Sequence, residues 1–152
     1  MSALTAMLSP LPADIRLIGE VDVAACYDLM RQLRPHLVSE AEFVTRWTRQ
    51  RADGYGLLAL WGDTAPRALA GFRLQENLIH GRFLYVDDLV TDARDRGHGH
   101  GGRLLVCLKA EAAARGCRKL VLDTALDNTL GHRFYYRNGL LASSLRFNTP
   151  VG

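Results

Sequence analysis

Arg96-Gly97-His98-Gly99-His100-Gly101-Gly102 places four glycines in seven residues, immediately ahead of Arg103-Leu104-Leu105-Val106. The stretch reads as a bare loop opening a helix. Glycine reaches positive φ cheaply and lacks a Cβ, so backbone N–H groups can turn toward a ligand and approach it closely. The N–H groups of a first helical turn have no intrahelical partner and sit at the positive end of the helix dipole. An anion, most often a phosphate, is their natural guest.

Two familiar phosphate loops do not account for it. Gly97-x-Gly99-x-x-Gly102 spells the dinucleotide fingerprint, and Asp123 lies 21 residues further on, where a ribose-binding acid belongs. That fingerprint must follow directly from a buried strand, whereas residues 91–96 are polar and only 50 residues remain after Gly102. The P-loop pattern starts with Gly97 and Gly102, but Arg103 and Leu104 stand where Lys and Ser/Thr would grip phosphate and Mg²⁺.

Outward from the loop, residues 82–91 carry the longest strand signal, Phe83-Leu84-Tyr85-Val86 and Leu89-Val90, interrupted by Asp87-Asp88. A central strand seldom carries charge without a partner or a task. A period of two would send one of these acids to each face of the sheet. After the loop, the apolar spacing of residues 103–115 predicts a helix ended by Gly116, and residues 119–123 a buried strand. Asn128 caps a last helix bearing Phe134, Tyr135 and Tyr136 and ended by Gly139; residues 140–147 read as a closing strand.

Upstream, residues 1–13, with Pro10 and Pro12, read as a loose arm, and residues 14–152 as one domain. A first strand is expected at 14–18. A helix then runs from a cap at Asp22 through Leu33 to Pro35, and a second opens at the Ser39-x-x-Glu42 capping box and ends near Gly54. Residues 55–61 and 68–74, separated by Gly62-Asp63-Thr64-Ala65-Pro66, form a hairpin.

Composition bounds the function. The 152 residues, 48% hydrophobic and 23% charged, suit one globular domain. There is no apolar run of about 18 residues for a membrane span and no secretory leader pattern, so the expected location is cytoplasmic. A net charge of +3 and a pI near 9.0 favour anionic ligands, but no basic stripe interleaved with aromatics points to nucleic acid. Cys26, Cys107 and Cys117 form no C-x-x-C pair and read as small buried hydrophobes. His98 and His100 have no acidic or thiol companions at familiar spacing, so no metal is expected.

Arg96-x-x-Gly99-x-Gly101, after a strand and a polar bend and before an amphipathic helix, resembles the acyl-CoA loop of the GNAT superfamily of N-acetyltransferases. Phe83-Leu-Tyr-Val-Asp-Asp-Leu-Val is similar to that family's fourth strand, and His132-Arg-Phe-Tyr-Tyr-Arg-Asn-Gly-Leu140 to its closing segment. The resemblance implies an α/β GNAT fold, with a mixed, mostly antiparallel sheet of about six or seven strands and helices on both faces. Acetyl-CoA would be the acetyl donor.

Position by position, Arg96, Gly97, His98, Gly99, His100, Gly101 and Gly102 correspond to the pyrophosphate loop, with His98 and His100 in place of the more familiar basic and aliphatic residues. Leu89, Val90 and Thr91 correspond to the strand end that pairs with the pantetheine arm and offers an N–H to the thioester oxygen. Asn128 matches a cofactor contact, and Tyr135 the tyrosine that protonates the departing thiolate. Gly131 stands where alanine is commoner. The two early helices would shape the acceptor pocket, with His36, Phe43 and Trp47 as candidate lining that core packing equally explains.

Acetyl transfer to an amine needs an ammonium whose pKa is near 10 to lose its proton. A carboxylate can accept that proton directly or through water, or can simply hold the cation nearby. Asp87 or Asp88 is the candidate. The expected activity is N-acetylation of a small-molecule amine. Acetylation of a protein lysine or N-terminus, and a non-catalytic acyl-CoA-binding regulator, are the alternatives; a homodimer is compatible with the closing strand.

Overall fold

The computed structural model describes residues 3–152. The chain divides into two compact units, one reaching to Val121 and one over Leu122–Gly152. Within the first, β1 (Ile15–Leu17), a 3₁₀ turn (Val23–Cys26), α1 (Tyr27–Leu33), α2 (Glu40–Ala52), β2 (Gly56–Trp61), β3 (Pro66–Asn77), β4 (Gly81–Thr91), a second 3₁₀ turn (Ala93–Asp95) and α3 (His100–Ala114) follow in order. β5 (Lys119–Leu122) straddles the boundary, and α4 (Thr129–Arg137) belongs to the second unit.

The sheet runs in the order β1-β2-β3-β4-β5, and the pairs β1/β2, β2/β3 and β3/β4 are antiparallel. The α3 crossover returns the chain for a parallel β5, so the sheet is mixed. It has five strands among the described residues, not the six or seven expected. The missing strand is the one read into residues 140–147, which have no regular structure. Apolar residues make a segment compatible with a strand, but a strand exists only as one side of a ladder. Here Leu141, Leu145 and Phe147 are exposed, and Ser143-Ser144 break the apolar run.

The period of two sorts the core into two layers. Tyr55, Leu57, Ala59, Leu69 and Val90 cluster with Cys26, Tyr27, Met30, Phe43 and Trp47 of the α1–α2 side. Leu58, Leu60, Ala68, Ala70 and Leu84 are equally buried but lie outside that cluster. They serve α3, which touches β2, β3 and β4 and buries Leu104, Leu105 and Leu108.

Local chemistry explains most helix ends. Ser39 Oγ accepts from Glu42 N at 3.1 Å, as the capping box requires, although the Glu42 carboxylate reaches Val38 N. Asp22 does not cap with its side chain; the chain first makes the 3₁₀ turn and only then α1.

The stretch before β1, expected to be a loose arm, is tied to α3. Leu8 N and Ser9 N donate to the Glu111 carboxylate at 2.9 and 2.8 Å. Arg115 bridges that carboxylate at 2.8 Å and donates to the Ala6 carbonyl. Leu4 is buried, with its methyl against Gly56 where a Cβ would stand. Glu111 is 0% exposed. Burial alone would raise its pKa, but the backbone donors of Ser9 and Leu8 and the Arg115 guanidinium outweigh it and hold the carboxyl below its ordinary value.

Candidate active site

The two adjacent acids do not take opposite faces of the sheet. Gly71 pairs with Asp88 but Phe72 pairs with Val86, so Asp87 is an extra residue in β4, a β-bulge. The bulge resets the alternation. Tyr85, opposite Arg73, and Asp88, opposite Gly71, both fall on the α1–α2 face although they are three residues apart.

One network joins both carboxylates. Asp88 Oδ1 accepts from Arg34 Nε at 2.9 Å, and Asp88 Oδ2 from the Tyr55 hydroxyl at 2.7 Å. Arg34 Nη2 also donates to the Asp87 carbonyl at 2.9 Å. Asp87 Oδ2 accepts from Arg73 Nε at 2.7 Å, and Arg73 continues to Gln50 of α2 at 2.6 Å. These are charge-assisted bonds, the strong kind, and they clamp the bulge to the ends of α1 and α2.

Burial raises the Asp87 pKa above its ordinary value, partly offset by Arg73 and reinforced by the Asp88 charge. Its Oδ1 is buried with no hydrogen-bond partner among the described residues. The Tyr55 hydroxyl is pushed well above the usual phenol range, first by burial and then by the Asp88 charge, so it remains a donor. Its ring fits because residue 71 is glycine: a Cβ there would collide with the Tyr55 hydroxyl.

Asp88 forms part of the wall of a cavity of about 250 Å³. Around it stand Arg34 and Met30 from the α1 end, His36 and Leu37 from the linker, Phe43, Arg46, Trp47 and Gln50 from α2, and Tyr55. His36, Phe43 and Trp47 therefore line the cavity together, while Phe43 and Trp47 also belong to the core. Arg34, Tyr55, Arg73 and Gln50 are the members that sequence reading missed. The unexplained charge of Asp87-Asp88 was the signal that partners had to exist.

Beyond the bulge, Leu89, Val90 and Thr91 pair with Ala70, Leu69 and Ala68 on β3. On the other side, Arg118 N donates to the Arg82 carbonyl at 2.8 Å, so β5 starts beside the beginning of β4. Its four residues, at about 3.3 Å each, cover only the first half of that strand. Leu89–Thr91 thus run past the reach of β5.

The chain then turns at Asp92, whose carboxylate caps Arg94 N and is held well below the carboxylate range by its hydrogen bonds with Arg94. Arg96 is extended, and Gly97 and Gly99 take φ of +87° and +78°. That left-handed backbone is what requires glycine at these two positions. Gly99 is the N-cap of α3, so the helix starts three residues before the predicted Arg103. His100, Gly101 and Gly102 form its first turn. No side chain caps this end and its first turn holds no acid. Arg103 is held in a bidentate pair with Asp14 at 2.7 Å. The His98 and His100 rings lie 5.9 Å apart, and no group of three or more His, Cys, Asp or Glu suited to a metal occurs among the described residues.

In the second unit, Asn128 caps α4 by accepting from Gly131 N at 3.1 Å and donates to Thr124 at 2.9 Å. A Cβ at residue 131 would strike the Asn128 amide, which is the reason for glycine there. Tyr135 lies on α4, edge-on to Phe134 at 5.3 Å. Burial raises its pKa above the ordinary phenol value, so the phenol is a proton donor at neutral pH.

Comparison with known proteins decides the family: the Acetyltransferase (GNAT) family matches residues 23–140. The chain belongs to this family. This GNAT acetyltransferase is 31% identical over 137 residues to the uncharacterized N-acetyltransferase YhdJ of Bacillus subtilis (strain 168), covering 90% of this chain and 96% of that protein. It is also 31% identical over 125 residues to glucosamine 6-phosphate N-acetyltransferase 1 of Oryza sativa subsp. japonica, covering 78% and 74%. Among solved structures, the aminoglycoside N-acetyltransferase AAC(6')-Iy in complex with CoA superposes with a TM-score of 0.81 at 16% identity, over 91% of this chain and 93% of that one. That likeness shows the fold. The chain is thus an acyltransferase with the α/β GNAT architecture, and no helix among the described residues is long and apolar enough to cross a membrane.

Proposed function

We propose that this GNAT acetyltransferase moves an acetyl group from acetyl-CoA to the primary amine of a small molecule seated in the cavity beside Asp88. The observation that carries the reading is β4 itself. One strand supplies the Asp88 side chain to the cavity, continues beyond the reach of β5, and leads into the uncapped N-terminus of α3.

The residues fit the donor. Two left-handed glycines and a first helical turn without acid or side-chain cap suit a pyrophosphate, which the N–H groups of His100, Gly101 and Gly102 would hold while Arg96 adds charge. Acetyl-CoA, when bound, supplies the activated acyl group. The main chain of Leu89, Val90 and Thr91 would pair with an extended ligand arm and direct an N–H at the thioester oxygen. Such a fixed donor typically contributes about 3 kcal/mol to a reaction barrier.

Asp88 faces the cavity, and its two oxygens, each with one donor already, keep lone pairs for an ammonium. It receives the amine and, directly or through a water, its proton. Asp87 acts behind it, holding Arg73 and, through its carbonyl, Arg34. Asn128 sets the start of α4, and Tyr135, kept protonated by burial, is the proton donor to the departing sulfur. The relative named for glucosamine 6-phosphate supports a small-molecule acceptor.

Thermal unfolding with acetyl-CoA, CoA, NAD and ATP at matched concentrations tests the donor half. A ligand at 100 times its dissociation constant adds about 2.7 kcal/mol, so the two CoA species are expected to raise the melting temperature and the other two are not. Release of free CoA with an amine panel, against a no-amine control, tests transfer. A shift with NAD or ATP alone, or no amine-dependent CoA release, refutes the proposal.

A further inference from the structure

We infer that the acceptor is a small amine that also carries an anionic group, a phosphate or carboxylate, and that Arg46 and His36 recognise that group. This rests on the cavity being the acceptor site and goes further by naming the chemical class of its occupant.

The cavity is charge-polarised. Asp88 is the one carboxylate in its wall, and its charge is already matched by Arg34 at 2.8 Å. Tyr55 apart, the remaining ionisable wall groups, Arg46 and His36, are both cation-capable and stand on α2 and on the linker before it. Arg46 is only loosely engaged: its one bridge is to Glu42, four residues back on the same helix, at 3.5 Å and half exposed. Such a pair contributes at most about 1 kcal/mol and leaves most of a five-donor guanidinium free for a bidentate oxyanion. No hydrogen bond of the His36 side chain exists among the described residues. An acceptor with an ammonium toward Asp88 and an oxyanion toward Arg46 matches both ends.

Charge repulsion disfavours the other extreme. At about 250 Å³ the cavity holds roughly eight water volumes and lies below the roughly 300–1,000 Å³ of drug-sized sites. A polycation of several rings would meet two guanidiniums against one carboxylate. Phe43 and Trp47 supply an apolar flank on which a sugar ring or aliphatic side chain can lie.

The test uses matched pairs: glucosamine 6-phosphate against glucosamine, leucine against leucinamide, and kanamycin as the polycation. The expected result is a kcat/KM at least tenfold higher for the anionic member of one pair; which pair responds separates phosphate from carboxylate. In Arg46→Gln that ratio falls toward one, and in Arg46→Lys part of it returns, with melting temperatures near wild type because the side chain is half exposed. His36→Gln is expected to reduce the ratio partly. Equal or reversed ratios in both pairs, or preference for kanamycin, overturn the inference while leaving acetyl transfer intact. If no amine is turned over, the proposed function fails, and calorimetric titration of the same pairs into the CoA-saturated protein still decides: tenfold tighter binding of the anionic member supports the inference, and equal or absent binding of both refutes it.

Discussion

Asp88 holds its position because three residues distant in sequence converge on it. The Tyr55 hydroxyl donates at 2.7 Å, Arg34 at 2.9 Å, and Gly71 makes room for the tyrosine ring. In Tyr55→Phe, Asp88 Oδ2 loses a buried donor. Losing such a partner costs about 1–3 kcal/mol, so urea denaturation is expected to show a loss of about that size, with a several-fold rise in KM for the amine. Gly71→Ala, which displaces the same ring, is expected to give the same pattern. Tyr135→Phe belongs to a different class. It removes a hydroxyl and no packing, so stability should stay within about 0.5 kcal/mol of wild type, while kcat falls by about 10²-fold if the phenol supplies the proton. An unchanged kcat in the no-exchange, saturating regime would show that the proton comes from elsewhere.

At the scale of elements, the candidate site is shared between β4, the start of α3 and the α1–α2 side, and their legibility in the sequence was uneven for physical reasons. The glycine loop, the Ser39 cap and the Asn128 cap act over three or four residues, so their chemistry is written locally. The bulge at Asp87 has no such local mark; it follows from how ten register pairs of β3 and β4 fit together. For the same reason Arg34, Tyr55 and Arg73, between 14 and 54 residues from their carboxylates, were invisible until the strands were laid side by side. The closing strand failed in the opposite direction: residues 140–147 have strand-like composition but no ladder to join. Start of α3 at Gly99 yields its own prediction. A side chain there meets no neighbour but must adopt φ of +78°, which costs about 1 kcal/mol or more. Gly99→Ala should therefore lower stability by about that amount and diminish the thermal shift given by CoA beyond what Gly97, held at the same sign of φ but outside the helix, gives when changed to Ala.

At the scale of the whole molecule, Glu111 and Arg115 fasten residues 6–9 to the helix that begins at the glycine loop. Its pKa in the folded protein is below the ordinary 4.5, so its stabilising contribution is fully present above that value and is lost as pH falls through the lowered one. Glu111→Gln should cost about 2–3 kcal/mol at pH 7, since a fully buried acceptor of Leu8, Ser9 and Arg115 is replaced by a group that is half donor. The difference from wild type should shrink as pH drops below about 4.5, read by urea denaturation at pH 7 and pH 4. A constant difference would mean that the carboxylate charge is not what holds the arm.

The groups proposed to meet an acceptor come mainly from α1, α2 and their linker, whereas those proposed to meet the donor come from the far end of β4 and the start of α3. Two sets of positions so separated along the chain can drift independently. A lineage could trade Arg46 or His36 for other side chains, and so change which metabolite it modifies, without disturbing the grip on the shared donor. One ancestral scaffold would thereby seed many specificities.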